Sequence, residues 1–108
     1  MKLHEYLTPE AVTDAYKKTG WLPIREEWQN PYSCCACAIG VLAQLHDVEI
    51  SSAADAYKFL TNQGVECSPG DVRDFVFGFD GECLPKKSDT FKLGRYIASA
   101  LQIEEEDE

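Results

Sequence analysis

Residues 36–45, Ala-Cys-Ala-Ile-Gly-Val-Leu-Ala-Gln-Leu, form the longest strongly apolar stretch of the chain. The stretch is about half the roughly 20 residues needed to cross a bilayer, so no membrane span is expected. A helix that is apolar on every side belongs in the middle of a domain, covered by its neighbours. Residues 34–46, from Cys34 to His46, are therefore expected to form a central, buried helix. The opening residues Met-Lys-Leu-His-Glu-Tyr lack the apolar run of a signal peptide, and the expected location is the cytoplasm.

Four further helices are expected around that centre. Thr8-Pro9-Glu10 combines an N-cap, a proline at the first helical position and an early acid. Gly20 stops the helix that follows. Ser52, with Asp55 three residues on, opens a helix whose apolar stripe is Ala53, Ala56, Tyr57 and Leu60, and Gly64 ends it. Ser68-Pro69 opens another, with Val72, Phe75, Val76 and Phe79 on one face, and Asp80-Gly81 turns the chain. Residues 84–87 read as a loop. Ser88 or Asp89 caps a last helix in which Leu93, Tyr96, Ile97, Ala100 and Leu101 share a face. Between the first two helices, residues 21–28 contain strand formers, but Pro23 restricts them to a short edge strand or an extended segment. The expected fold is thus mainly α: a compact bundle of about five helices, with the apolar helix at 34–46 and an extended or β segment near 21–28. Residues 1–103 would be one globular domain.

Two glycines interrupt these helices. Gly40 and Gly78 are each expected where a helix approaches another closely, because glycine inside a helix costs about 1 kcal/mol relative to alanine. The tetrapeptide Asp-Ala-Tyr-Lys occurs at Asp14 and again at Asp55, in the helices that precede these two glycines. The echo leaves open a duplicated helical hairpin.

Charge narrows the function. The 108 residues carry 19 acids against 10 bases, a net charge of −9. Five of the acids are residues 104–108, a tail expected to be disordered and solvated because like charges in series repel. Without them the body holds 14 acids against the same 10 bases. Phosphate contacts need lysine and arginine, so no direct nucleic-acid binding is expected, and no binding to an anionic membrane surface. A basic protein partner remains compatible.

The five cysteines are Cys34, Cys35, Cys37, Cys67 and Cys83. An odd number and a cytoplasmic location favour reduced thiols. One reading is structural, since free cysteine packs as a small apolar side chain. A second is zinc, held by Cys34, Cys37, Cys67 and Cys83. Only Cys34 and Cys37 have CxxC spacing, however, and no second pair follows. A third is a reactive thiol at Cys34 or Cys35, at the start of the apolar helix, where the dipole and free N–H groups stabilise a thiolate. That arrangement resembles papain-like and transglutaminase-like enzymes, in which a cysteine begins the central helix. The resemblance implies a nucleophile at Cys34 or Cys35 assisted by a histidine. Those families place the histidine downstream on a strand, whereas the histidines here are His4 and His46. His46 lies on the same helix, about 15–18 Å away at the helical rise. The Cys34–Cys37 spacing is also similar to the thioredoxin motif, without the flanking βαβ pattern.

Glu66, Asp71, Asp74, Asp80 and Glu82 make the densest acidic stretch of the body. Asp80-Gly81-Glu82 does not match a calcium loop, so the stretch reads as solvated surface or as a face for a basic partner. Phe75, Phe79, Phe91, Trp21, Trp28 and Tyr32 read as core. Phe77 falls off the helical stripe and is expected at an exposed contact. No phosphate-cradling, metalloprotease or nucleophile-elbow motif occurs. The expected protein is a small, acidic, non-enzymatic interaction module or inhibitor. Its contacts would be Glu66, Asp71, Asp74, Phe77, Asp80 and Glu82, its partner a protein of basic character, and a homodimer is compatible with it. The alternative is a cysteine-dependent protein, binding structural zinc or using a thiol. No other cofactor is expected.

Overall fold

Hydroxyl side chains set the starts of four helices. In the computed structural model, which describes residues 1–81 and 88–101, Thr8 Oγ1 accepts the Ala11 N–H at 3.1 Å, opening helix α2 (Pro9–Thr19). Ser52 does the same for α4 (Ala53–Asn62), Ser68 for α5 (Pro69–Asp80) and Ser88 for α6 (Asp89–Ala100). Each cap satisfies an N–H that the first helical turn leaves without a partner. Ser68 and Asp71 form a reciprocal capping box. Gly20 and Gly81 end α2 and α5 in the left-handed conformation. A single helical turn, α1 (Leu3–Tyr6), precedes them and was not expected.

The central helix α3 covers Ala38–Leu45 and begins four residues later than expected. Ala38 through Ala43 are all buried, as its composition requires. The preceding residues are extended instead. Cys35–Ala36 forms β3, the middle strand of a small sheet ordered β1-β3-β2, with β1 at Leu22–Pro23 and β2 at Gln29–Asn30. The β1–β3 pair is parallel and the β2–β3 pair antiparallel. Pro23 lies on an edge strand, as its missing N–H demands: Leu22 N–H donates to Cys34 O and Ile24 N–H to Ala36 O, so the ladder skips the proline. The molecule is therefore mostly helical with a three-stranded sheet, rather than helical with one extended segment.

The sheet is fixed to α3 through two residues. Trp28 O accepts the Cys37 N–H at 3.3 Å, and a Cβ placed on Gly40 would fall onto that same carbonyl. Gly40 thus admits a loop backbone rather than a second helix. Gln29 Nε2 donates to Gly40 O and Val48 O, while its Oε1 accepts the Ile50 N–H. One side chain thereby joins β2, α3 and the α3–α4 connection.

Helices α5 and α6 form the most extensive helix pair. Gly78 and Gly94 bring them together, since a Cβ on Gly78 would meet Phe91 O and one on Gly94 would meet Phe75 O. The buried face of α6 is Phe91, Gly94, Ile97 and Ala98. It is rotated from the expected stripe, leaving Tyr96 60% exposed. The rotation follows from packing through a glycine, a position that carries no hydrophobic signal. The two copies of Asp-Ala-Tyr-Lys both bury their alanine, but the glycines after them meet different partners. The core joins the six helices of the described residues into one cluster, and the Cα radius of gyration is 12.5 Å.

Candidate functional site

Between β2 and β3 the chain makes a four-residue turn, residues 31–34. Asn30 holds it from below: its Oδ1 accepts the Tyr32 and Ser33 N–H groups at 3.1 and 3.3 Å, and its Nδ2 donates to Glu27 Oε1 at 3.0 Å. This is the side-chain mimic of a turn for which asparagine is suited. Cys34 closes the turn with φ +55°, a conformation that β-carbon-bearing residues rarely adopt. The result is a braced tip carrying Tyr32 with 99% of its surface exposed. Tyr32, expected in the core, is at the surface for a simple reason. An aromatic at a hairpin tip has no element above it to pack on. Leu22, 63% exposed, lies on the same sheet, its N–H bonded to Cys34 O.

The four cysteines among the described residues sit in different surroundings, and all are free thiols. Cys34 is exposed and its thiol points to Pro31 O at 3.7 Å, while Cys35 is half-buried with its thiol toward Ser33 O at 3.4 Å. Neither stands at a helix N-terminus, because the intervening strand places Cys37 there instead. Cys37 is buried and caps α3, its sulfur accepting the Gly40 N–H at 3.4 Å. Burial pushes its thiol up to about 12, and nearby Asp80 acts in the same direction. The residue at the helix start is thus held as a neutral thiol, the opposite of what a nucleophile or a zinc thiolate requires. A small cavity of about 80 Å³ adjoins it, lined by Glu26, Glu27, Trp28, Val76 and Asp80. Burial, with Asp71 second, also raises the Cys67 thiol. Cys83 lies outside the described residues. Among the described residues no group of three or more His, Cys, Asp or Glu side chains could hold a metal ion. His4 is exposed, and His46 ends α3 with its ring tilted against Phe59 at 5.9 Å.

The acidic stretch serves the fold as well as the surface. Asp71 accepts the Ser68 N–H and the Thr90 hydroxyl, Asp74 accepts the Ser88 hydroxyl at 2.9 Å, and Asp80 accepts the Glu26 N–H at 2.9 Å. Glu66 is exposed, its backbone bridged to Lys2. Phe77 is half-buried rather than exposed. Glu82 lies outside the described residues, as do the expected loop at 84–87 and the tail at 104–108.

Beside the tip is a cleft of about 370 Å³, lined by Trp21, Pro31, Gln44, Glu49, Ser51 and Asp55 among others. Gln29 is part of its lining and is fixed by three hydrogen bonds, to Gly40 O, Val48 O and the Ile50 N–H. A shallower depression of about 330 Å³ shares Glu49 and Asp55 with it. No helix among the described residues is long and apolar enough to cross a membrane. Compared with protein-family models, curated proteins and solved structures, the chain matches none of them.

Proposed function

We propose that the protein is a non-enzymatic, cytoplasmic interaction module or inhibitor that binds a protein partner, of basic character, through its surface. The observation that carries this reading is Tyr32, 99% exposed on a turn braced by Asn30. Tyrosine on a pre-ordered loop offers a large contact area with little entropy left to lose, which is why such residues anchor interfaces. Glu66, Asp71, Asp74, Phe77 and Asp80 are a second contact region, and Glu82 follows them in the sequence. The hydrogen-bond donors to Asp71 and Asp74 are neutral, so their charges still act on a basic partner. A second copy of the chain is the simplest alternative partner.

The test is site-specific photo-crosslinking in cells, with a benzophenone side chain at position 32 and, as control, at exposed position 17 on α2. A discrete partner band from position 32 alone supports the reading. Identical patterns from both positions would remove it.

Thiol chemistry at Cys34 or Cys35 is a second reading, favoured by the exposure of Cys34 beside the tip. It requires one thiol that reacts much faster than the rest at neutral pH. Uniformly slow labelling would end it.

A further inference from the structure

We infer that the cleft between Trp21 and the start of α4 is a subsite for the guanidinium of an arginine side chain on the partner. This inference rests on the interaction reading above and names what that partner must present. Trp21 is half-buried at one wall, and Glu49 and Asp55 stand on the lining with it. An aromatic face together with carboxylates is the chemistry that recognises an organic cation. A planar guanidinium suits it better than an ammonium, because it stacks on an indole, donates paired hydrogen bonds to a carboxylate and is more weakly hydrated.

The carboxylates are placed for such a ligand. Asp55 Oδ2 accepts both the Ser51 N–H at 3.1 Å and the Ser51 hydroxyl at 3.2 Å, which fixes the carboxylate while Oδ1 accepts neither bond. Among the described residues Glu49 and Asp55 form no ion pair, although Lys58 borders the adjoining depression. Gln29 holds the backbone of Val48 and Ile50 on either side of Glu49, so the cleft is formed before any ligand arrives. Pro31 lines the cleft and Tyr32 is the next residue. A partner that packs on Tyr32 can therefore place a neighbouring side chain in the cleft.

The experiment uses the full chain, labelled with ¹⁵N and titrated with N-acetyl-arginine amide, N-acetyl-citrulline amide or Nα-acetyl-lysine amide. The expected result is saturable shifts at the Trp21 indole N–H and at the backbone of residues 49–55 with the arginine probe. The neutral citrulline probe should bind at least about tenfold more weakly. Glu49→Gln should weaken arginine binding at least about threefold, at a position that is exposed. Trp21→Leu should weaken it to a similar degree. Equal shifts from citrulline, lysine binding as tight as arginine, or shifts that do not saturate would each overturn the assignment. Those outcomes leave the crosslink from position 32 untouched, so the subsite and the interaction reading fail separately.

Discussion

The hydroxyl of Tyr16, near the end of α2, donates to the carbonyl oxygen of Ala36 at 2.6 Å, twenty residues along the chain. Both residues are buried. The bond ties the first long helix to the middle strand of the sheet, whose two partner strands are only two residues long each. Tyr16→Phe removes the donor, keeps the ring, and leaves a buried carbonyl without that partner. Ala36 O still accepts the Ile24 N–H, so the expected loss is that of one hydrogen bond, about 0.5–1.5 kcal/mol in urea unfolding. A change below about 0.5 kcal/mol would mean that the sheet is held by other contacts.

A second set of expectations concerns α5 and α6. The reciprocal approach of Gly78 to Phe91 O and of Gly94 to Phe75 O leaves no room for a methyl group on either helix, and what would have to move is backbone. Gly78→Ala and Gly94→Ala should each destabilise by about 2–3 kcal/mol. Gly64→Ala is the contrasting case. Its φ is +83° and a Cβ there meets nothing within 4 Å, so only local strain of about 1 kcal/mol is expected. Urea midpoints at constant slope measure all three. A Gly78→Ala variant as mild as Gly64→Ala would show that the helices can separate cheaply.

Features decided within a few residues were legible in the sequence. Thr8, Ser52, Ser68 and Ser88 cap because a hydroxyl three residues before a free N–H can hardly do otherwise, and Pro23 kept its segment at a sheet edge. Features decided by distant parts of the chain were not. Cys35–Ala36 sits at the start of an apolar run, and a two-residue strand carries no period to separate it from the helix beyond. The acids near Asp74 read as surface because their partners lie far off: Ser88 is fourteen residues from Asp74, and Glu26 is fifty-four from Asp80. Tyr32 and Phe77 were misplaced in opposite directions for one reason. An aromatic's burial depends on what the topology sets above it. The cleft was equally hidden, since Trp21, Glu49 and Asp55 come together only because Gln29 draws the α3–α4 connection onto β2.

Cys37 makes the fold sensitive to alkali. Its thiol titrates near 9 when unperturbed and about 12 in the folded protein, so the folded state favours the protonated form. Below pH 9 both states hold the proton and the stabilisation is fully present. As pH rises from 9 toward 12 the unfolded chain ionises first, and stability falls by up to about 1.4 kcal/mol per pH unit. Burial also raises Tyr16 above its usual 10, which adds a loss of the same sign above that pH. Urea unfolding from pH 8 to 10.5 should show the decline, and Cys37→Ala should flatten its first part. An unchanged slope in that variant would assign the decline to other groups.

Tyr32 offers the sharpest separation of stability from function. Its ring is exposed and its backbone N–H bonds to Asn30, so Tyr32→Ser keeps the turn and removes only the contact surface. Stability should stay within about 0.5 kcal/mol of the parent. A partner identified by crosslinking from position 32 should bind the purified variant at least about tenfold more weakly, as expected for a central aromatic anchor. Asn30→Ala provides the complementary case: it keeps the ring but removes the acceptor for Tyr32 and Ser33 N–H, so affinity should fall because the loop must be ordered on binding. If both variants bind that partner like the parent, the tip is not the contact, and the acidic stretch from Glu66 to Asp80 would have to supply the interface instead.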